Sequence, residues 1–286
     1  MAKRSQAHAD NAPGPFFVDR TCIDCGTCYQ FAPATFSDAG DHARVHSQPA
    51  DSAGRLKAAM ALVACPVGSI GTDGKADAAE AARAFPHLLA DDTYFCGYTS
   101  DKSFGAWSYL IRRPEGNILM DCPRAAEPLM KRLEALGGVA AMVLSHRDDV
   151  ADHAAYHDRF GCERIMHRSE GIGGLERLVE GDQPVPLAED LLLIPTPGHT
   201  AGSMCLLHQD KLFTGDHLWW NPQKGRWSAS RAYNWHSWEQ QLESLERLLA
   251  FDFAWVLPGH GFIHKVESPA TMREGLKQAI ALLRSS

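Results

Sequence analysis

The chain contains 286 residues with a formal net charge of −7, and 45% of its residues are hydrophobic and 22% charged. This composition is typical of a globular protein and excludes an intrinsically disordered chain, a collagen and a coiled coil. The length predicts two compact units, and the longest apolar runs are far too short to span a bilayer.

The charge pattern bears on partners and location. The mild acidic balance and the lack of a Lys/Arg cluster argue against a nucleic-acid partner, because such proteins neutralise phosphates with a basic face. The polar N-terminal residues are not followed by the apolar run of a secretory signal, and nothing in the sequence favours a membrane surface. We therefore expect a cytoplasmic protein that binds neither nucleic acid nor a membrane.

The first 74 residues contain four of the eight cysteines and three predicted elements. Residues 16–20 and 43–48 have the pattern of short strands, and residues 52–63 have that of a helix. A region of about 70 residues rarely buries enough apolar surface to fold without a metal or a disulfide. We predict a flexible N-terminus, a small domain, an alanine-rich linker and a large domain, over residues 1–15, 16–74, 75–90 and 91–286.

The large domain alternates strand-like runs with helical patterns. The predicted strands are residues 108–112, 118–121, 139–145, 191–195, 204–208 and 254–258, and the predicted helices are residues 127–136, 238–250 and 269–283. Ser268 and Pro269 form a typical helix start for the last of these. Strands that come first in hairpins and then between helices indicate a layered α/β domain.

Three of the early cysteines share one short segment, Cys22-Ile-Asp-Cys25-Gly-Thr-Cys28, and Cys65-Pro66 adds a fourth from a distant one. This is the arrangement that a cubane iron–sulfur cluster requires, and it favours a [4Fe-4S] cluster bound by these four cysteines. Zinc is the alternative, although zinc ribbons usually pair two Cys-x-x-Cys motifs. The remaining cysteines lack ligand spacing and are predicted to be buried thiols; they are Cys96, Cys122, Cys162 and Cys205.

Residues 16–74 resemble a bacterial-type ferredoxin, which implies a small α+β domain. In the two-cluster proteins of that family the cysteine run ends in Cys-x-x-x-Cys-Pro, whereas Ala32 stands before Pro33 here. The resemblance therefore implies that one cluster is lost and one remains. Whether this cluster transfers electrons, regulates activity or stabilises the domain is left open by the sequence.

Four blocks with histidine or aspartate follow β-rich runs in the large domain. They are the segment from His146 to His153, Pro197-Gly198-His199-Thr200, Thr214-Gly215-Asp216 and Pro258-Gly259-His260-Gly261. Side chains at the C-terminal ends of strands commonly form the ligand sites of layered α/β folds. Each histidine alone is more often an ordinary core or surface residue, but four such blocks in this order predict a metal site.

The blocks resemble the metallo-β-lactamase superfamily over about residues 92–264. The resemblance implies an αββα sandwich with two metals at one edge. It implies that His146 and His199 bind the first metal, that Asp152, His153 and His260 bind the second, and that Asp216 bridges the two. Asp152 and Asp216 are the implied catalytic carboxylates.

One block departs from the family pattern His-x-His-x-Asp-His. Two extra residues separate His146 from Asp152, and no second histidine is in place. We predict that Asp148, two residues after His146, binds the first metal instead; the alternatives are that this metal is weakly held or that Asp148 or Asp149 caps the following helix. A carboxylate here also resembles the flavodiiron branch, whose metals are iron, and oxygen ligands favour iron over zinc.

The resemblance implies a metallohydrolase in which water activated by the metal attacks an ester, thioester or related bond of a small-molecule substrate. One alternative is a diiron or mononuclear iron oxidoreductase that receives electrons from the cluster, and another is a redox or ligand sensor with a vestigial metal site. The expected cofactors are one [4Fe-4S] cluster and one or two divalent metals, zinc or iron. A separate redox protein remains a candidate partner. Residues 1–74 carry six basic and seven acidic side chains, so this region lacks the strong electrostatic field that would attract a charged partner.

Five of the seven tryptophans lie between Trp219 and Trp238, directly after Asp216. Core packing is one interpretation, since tryptophan is commonly buried. The other is that this segment lines the mouth of the metal site, where Arg226 or Arg231 would bind an anionic group of the substrate.

Overall fold

The computed structural model describes residues 1–73 and 78–285, and the chain forms two compact units. The first unit comprises residues 1–140 and 151–161, and the second comprises residues 141–150 and the chain from Cys162 onward. The predicted boundary at residue 74 and the start of the predicted linker lie outside the described residues. Among the described helices, none is long and apolar enough to cross a membrane.

The N-terminal residues, predicted to be flexible, make defined contacts with the rest of the first unit. A 3-10 turn covers Arg4–Gln6, and Ala7 forms a β-bridge with Asp19. The Asn11 side-chain oxygen accepts hydrogen bonds from the backbone N–H groups of Val18 and Val45, both at 3.0 Å. Asn11 thereby joins two strand segments that are distant in the sequence.

The cysteine region is built from short elements. They are β1 (Phe16–Val18), α1 (Thr27–Phe31), β2 (Phe36–Asp38), β3 (Ala43–Val45), α2 (Ser52–Ala64) and β4 (Ile70–Thr72). Strand β1 pairs antiparallel with β4, and β2 pairs antiparallel with β3. The three predicted elements are confirmed, with shorter strands, whereas α1, β2 and β4 are too short to leave a periodic signal in the sequence.

The first unit continues beyond the cysteine region with α3 (Ala78–Arg83), β5 (His87–Ala90), β6 (Thr93–Phe95), β7 (Tyr109–Ile111), β8 (Ile118–Met120), α4 (Glu127–Ala135) and α5 (His153–Phe160). Strands β5 to β8 form an antiparallel meander. Phe95 of this meander stacks on Trp107 with ring centroids 3.8 Å apart, and lies 5.5 Å from Phe31 of α1. This shared aromatic core explains why the compact unit does not end at the predicted linker.

The second unit contains two groups of strands, one hairpin and two helices. Its elements are β9 (Ala141–Val143), β10 (Glu163–His167), β11 (Arg177–Val179), β12 (Val185–Ala188), β13 (Leu191–Pro195), β14 (Met204–His208), β15 (Lys211–Gly215), β16 (Trp219–Asn221), β17 (Arg226–Ser228), α6 (Trp238–Leu248), β18 (Trp255–Pro258), β19 (His264–Lys265) and α7 (Pro269–Arg284). Strands β9, β10 and β11 are parallel neighbours. Six others form a sheet in the order β12-β13-β14-β15-β18-β19.

Helices α6 and α7 share a buried core with the six-stranded sheet. Apolar residues at every third or fourth position of α6, including Leu242, Leu245 and Leu248, pack with Ile194 of β13 and Val256 of β18. Both helices begin at a serine cap. Ser268 accepts a hydrogen bond from the Thr271 N–H at 3.2 Å, which confirms the predicted start of α7.

The strand order determines where the polar blocks emerge. Strands β15 and β18 are parallel neighbours, with Gly215 opposite Pro258. Asp216 and His260 follow these two strands and therefore leave the sheet at the same edge.

Candidate metal centres

The four predicted cluster cysteines line one small pocket of the first unit. Cys22, Cys25 and Cys28 lie in the loop and first turn of α1, and Cys65 directly follows α2. Asp24 and Gly26 have positive φ values of 55° and 83°, which turn the loop tightly. The local spacing and the helix end thus bring together the ligand set that the sequence predicts.

The electrostatics of this pocket fit a cationic group. Burial, with smaller contributions from Cys65 and Cys22, raises the pKa of Cys25 to about 11. Burial and the other three thiols raise the pKa of Cys28 as well. Four thiolates this close together are costly unless cations compensate them, and the irons of a cluster do so. The backbone N–H groups of Asp24 and Ala43 point at Cys22 Sγ, both at 3.4 Å.

Gly105 lies against the cysteine loop, and sequence reasoning did not find it. A Cβ at this position would lie 2.7 Å from Cys25 Cβ and 2.8 Å from its Sγ, and the φ of Gly105 is +84°. Its carbonyl oxygen accepts a hydrogen bond from Thr27 Oγ1 at 2.9 Å. No local pattern around residue 105 predicts this close approach, because Cys25 lies 80 residues earlier in the chain.

The other cysteines are buried as predicted, each at most 3% exposed; they are Cys96, Cys122, Cys162 and Cys205. Burial raises the pKa of Cys96 to about 12, which keeps it a neutral thiol.

Three predicted ligands of the second unit converge. Asp216 Oδ2 lies 3.7 Å from Nε2 of His146 and 3.7 Å from Nε2 of His199. The two histidines are 1% and 4% exposed, and within the described structure neither Nε2 atom nor Asp216 Oδ1 has a hydrogen-bond partner. Leaving a buried polar atom unsatisfied costs about 1–3 kcal/mol. Three such atoms from the donor types that bind Zn²⁺ or Fe²⁺ therefore fit a divalent cation.

Neighbouring groups orient the two histidines. The side-chain oxygen of Ser145 lies 2.9 Å from Nδ1 of His146, which leaves the opposite ring nitrogen, Nε2, on the side of Asp216. The His199 loop is closed by a bond from the Thr196 N–H to the Ser203 carbonyl at 2.7 Å. This bond joins the two ends of the loop that carries His199.

The charges of this group suit metal binding. Burial and the neighbouring His146 lower the pKa of His199 despite the opposing effect of Asp216, so this imidazole is neutral near pH 7. Burial acts to raise the pKa of Asp216, but His260, His146 and His199 outweigh it and hold the pKa below its usual value. A neutral imidazole and an ionised carboxylate are the forms that bind metals.

His260 and Asp148 lie at the border of this group. His260 Nε2 is 3.9 Å from Asp216 Oδ2, and Asp148 Oδ2 is 3.8 Å from His146 Nε2. The Asp148 side chain is 49% exposed and lies in a 3-10 turn, whereas the N-cap residue of α5 is Asp152. Asp148 therefore does not cap α5, and its role as a ligand stays a prediction.

Asp149 is a neighbour that the ligand prediction left out. It is 1% exposed, and its Oδ2 lies 3.8 Å from His146 Nδ1. A Cβ at Gly259 would lie 2.9 Å from both Asp149 Oδ2 and Asp216 Oδ1. The glycine before His260 thus leaves room for two carboxylates beside the histidines.

Asp152 and His153 are the residues that the family resemblance implies as ligands of a second metal. Both belong to the first unit, where His153 is the first residue of α5. The two Asp152 oxygens accept hydrogen bonds from Lys102 Nζ at 2.6 Å and from the Ala125 N–H at 2.9 Å. These contacts concern Asp152 alone, and binding of a second metal by Asp152 and His153 stays a prediction.

The tryptophan segment contributes to the core and also contacts the His199 loop. Trp227 and Trp238 are 2% and 8% exposed and belong to the core. Trp235 is 64% exposed, and its backbone N–H donates to the carbonyl of His199 at 2.8 Å. Trp235 thus lies next to the metal-ligand loop, while binding of a substrate anion by Arg226 or Arg231 stays a prediction.

Two family models match the chain in the predicted order. Residues 18–72 match the 4Fe-4S single cluster domain of Ferredoxin I, and residues 137–260 match the metallo-beta-lactamase superfamily. The predicted combination of a single-cluster ferredoxin segment with a following metallo-β-lactamase-like domain is confirmed.

Two curated relatives and one solved structure extend these matches. The hydroxyacylglutathione hydrolase of Rhizobium etli is 31% identical over 138 residues, 45% of this chain and 54% of the relative. The hydroxyacylglutathione hydrolase of Rhodospirillum rubrum is 32% identical over 121 residues, which are 38% of this chain and 46% of the relative. This chain thus spans about half the length of the curated relatives it matches. The crystal structure of VMB-1 aligns with a TM-score of 0.53 at 14% identity, over 69% of this chain and 95% of that one, and this likeness confirms the expected fold.

Proposed function

We propose that the second unit is a metal-dependent hydrolase that cleaves a thioester in a small-molecule substrate. The observation that carries this proposal is the convergence of His146, His199 and Asp216: Asp216 Oδ2 lies 3.7 Å from Nε2 of each histidine, and neither Nε2 atom has a hydrogen-bond partner within the described residues. The relatives that match this region are hydroxyacylglutathione hydrolases, whose substrates by name contain a thioester.

The residues of the site would have distinct roles in metal binding and hydrolysis. A divalent metal supplies a Lewis acid that lowers the pKa of water and polarises a carbonyl oxygen. His146, His199 and Asp216 would hold this metal, and Ser145 fixes the ring of His146 through Nδ1. Asp148 is half exposed beside His146 and would accept a hydrogen bond from water on the open side of the group.

Hydrolysis by the metal-loaded protein tests this proposal. We expect zinc- or iron-loaded protein to cleave a hydroxyacylglutathione thioester, and Asp216→Asn to lower kcat/KM by more than about 100-fold, since even outer-shell changes cost about 10–100-fold. The control is Asp182→Asn, an exposed carboxylate of the same unit. Metal-loaded protein that cleaves no thioester, or an Asp216→Asn variant as active as the control, would contradict the proposal.

A mononuclear iron oxidoreductase is the second candidate. Two histidines and one carboxylate form the ligand set of non-haem Fe(II) enzymes, and His146, His199 and Asp216 form such a set in the second unit. The same chain carries a segment that matches a one-electron iron–sulfur domain. Anaerobic purification with iron, zinc and sulfide counted per chain separates the two functions. Iron beyond that of the cluster, with oxygen uptake by the reduced protein, favours the oxidoreductase; zinc favours the hydrolase.

A further inference from the structure

Glu170 is a buried carboxylate of the second unit that neither the sequence analysis nor the proposed chemistry uses. It is 2% exposed and ends the 3-10 turn Arg168–Glu170, directly after β10. A buried carboxylate is costly unless hydrogen-bond donors surround it. The partners of Glu170 are therefore informative about its role.

Each oxygen of Glu170 accepts hydrogen bonds from a different loop that carries a proposed metal ligand. Oε2 accepts hydrogen bonds from the backbone N–H of Arg147 at 2.8 Å and from its Nε at 3.0 Å. Oε1 accepts from Thr200 Oγ1 at 2.8 Å and from the Gly202 N–H at 2.6 Å. Arg147 directly follows His146, and Thr200 directly follows His199. One carboxylate thus ties together the loops that carry both histidines.

Two further observations show that this arrangement is tight. A Cβ at Gly202 would lie 2.7 Å from Glu170 Oε1, so the glycine allows the loop to approach the carboxylate. Burial acts to raise the pKa of Glu170, but the bonds from Thr200 and Arg147 outweigh it and hold the pKa below its usual value. The group is therefore ionised at neutral pH, and its bonds are of the strong, charge-assisted kind.

We propose that Glu170 is a positioning residue that fixes the separation of His146 and His199 and thereby sets the metal affinity of the site. Loops held in advance at the spacing that a cation requires lose little entropy when it binds, whereas loops that move freely must first be ordered. This inference rests on the proposed metal site, and it holds whether the bound metal performs hydrolysis or redox chemistry.

Glu170→Gln is the informative variant because of the donors that surround the side chain. All four groups donate, and a glutamine can accept bonds only through its amide oxygen. Its NH₂ group must then face the donors of one loop. Either orientation loses bonds to one histidine loop, the Thr200 hydroxyl being the one partner that can accept as well as donate, while the size of the side chain stays the same.

The same unit provides a matched control at the other end of β10. Glu176 accepts bonds from the Arg164 backbone N–H at 2.9 Å, from its Nε at 2.9 Å and from its Nη2 at 2.7 Å. This pair repeats the contact of Glu170 with Arg147 but joins no metal-ligand loop. Glu176→Gln therefore reports the loss of stability that comes from breaking a buried arginine contact alone.

The test measures metal binding on the full chain with its cluster intact. Equilibrium dialysis at fixed free Zn²⁺ gives the affinity, and the difference spectrum of Co²⁺-loaded against cluster-only protein reports the ligand geometry. We expect Glu170→Gln to weaken zinc binding by about 10–100-fold, as is typical for outer-shell partners, and to change the cobalt bands. Glu176→Gln should lower Tm and leave both readouts unchanged.

A second variant keeps the inference testable if Glu170→Gln does not fold. Thr200→Val keeps the shape of the side chain and removes one of the four donors, so we expect a smaller loss of zinc affinity in the same direction. Wild-type affinity and cobalt bands in both variants, or a wild-type chain that binds neither zinc nor cobalt here, would overturn the inference. A chain that loses metal on Glu170→Gln but cleaves no thioester would contradict only the proposed hydrolase.

Discussion

His146, His199 and Asp216 come from three segments that are far apart in the sequence, yet their ligand atoms lie within 4.8 Å of one another. Each follows a short strand of the second unit, so the backbone that carries it is anchored on one side. Their burial removes competing water, which strengthens the binding of a cation by neutral imidazole and carboxylate groups.

His199→Ala should release the divalent metal and leave the visible absorbance of the cluster unchanged, because the cluster cysteines are a separate ligand set in the first unit. Metal analysis together with the visible spectrum checks this. The control is His236→Ala, an exposed histidine of the same unit, which should keep both. Loss of cluster absorbance in His199→Ala would show that the ligands are misassigned.

Asp148→Asn should lower the content of non-cluster metal, since it removes a charged oxygen 3.8 Å from His146 Nε2. Asp148→His should shift the site toward zinc, because imidazole suits zinc better than a carboxylate does. Metal counts on protein grown with equal iron and zinc measure both effects, with the exposed Glu189→Gln as control. If both Asp148 variants keep the wild-type metal count and identity, Asp148 is not a ligand.

Glu176 provides a pH-dependent contribution to stability. The Arg164 side chain lowers the pKa of Glu176 from 4.5 to about 2, so the ionised form stabilises the folded state at pH values above 4.5. This contribution falls as the pH falls through the folded pKa. We expect the Tm difference between wild type and Glu176→Gln to shrink as the pH is lowered from neutral toward 3, measured by thermal unfolding. A difference that is constant with pH would contradict the pairing.

The loop between β13 and β14 shows how an element positions a ligand. Gly198 has a φ of +151°, and a Cβ there would lie 2.3 Å from the backbone Cα of Gln241 in α6. The loop is further held by Ser237, whose N–H donates to the Gly198 carbonyl at 3.0 Å. The His199 ring therefore depends on direct contact between the loop and the first turns of α6.

Gly198→Ala should destabilise the protein by about 1–3 kcal/mol, the usual cost of overpacking, and should also lower metal content because the loop must move away from α6. Urea unfolding and metal analysis measure the two effects. Gly225→Ala is the control, since its φ is also positive at +58° but nothing lies within 4 Å of the added Cβ. Equal metal loss in both variants would point to backbone strain rather than to the contact with α6.

The division into two units assigns the cluster cysteines and the metal-binding trio to different parts of the molecule. The cluster loop shares its core with the meander β5 to β8 through Phe31, which lies near Phe85 and Phe95. Substitution of the cysteines is therefore expected to destabilise the meander as well. A unit that ended at residue 74 would not predict this effect.

Cys28→Ala should abolish the visible absorbance and the acid-labile sulfide while the second unit keeps its divalent metal, because the variant removes one of four ligands from the cluster alone. Absorbance, sulfide content and metal counts measured on the full chain check this. Cys96→Ala is the control, a buried cysteine of the first unit without ligand spacing, and it should keep the cluster. An unchanged visible spectrum in Cys28→Ala would contradict the cluster assignment.

Local signals in the sequence were sufficient to predict the longer elements, and they singled out the four cysteines that line one pocket and the three side chains that converge in the second unit. That these groups bind a cluster and a metal stays a prediction. The cysteine spacing restricts the cluster loop directly, and the amphipathic periods of α6 and α7 with their serine caps define these helices within a few residues. His199 follows β13, a predicted strand, whereas β15 before Asp216 was not among the predicted strands.

Contacts between distant residues were decided only by the tertiary structure. Lys102 pairs with Asp152 from 50 positions away, a contact that the local motif does not predict. Glu170 and Gly105 contact residues that are distant in the sequence, and no periodicity predicts these contacts. The unit boundary follows an aromatic core that is assembled from separate segments. The physical reason is that periodicity and caps act over a few residues, whereas the burial of a charge or a ring depends on which surfaces meet when the chain folds.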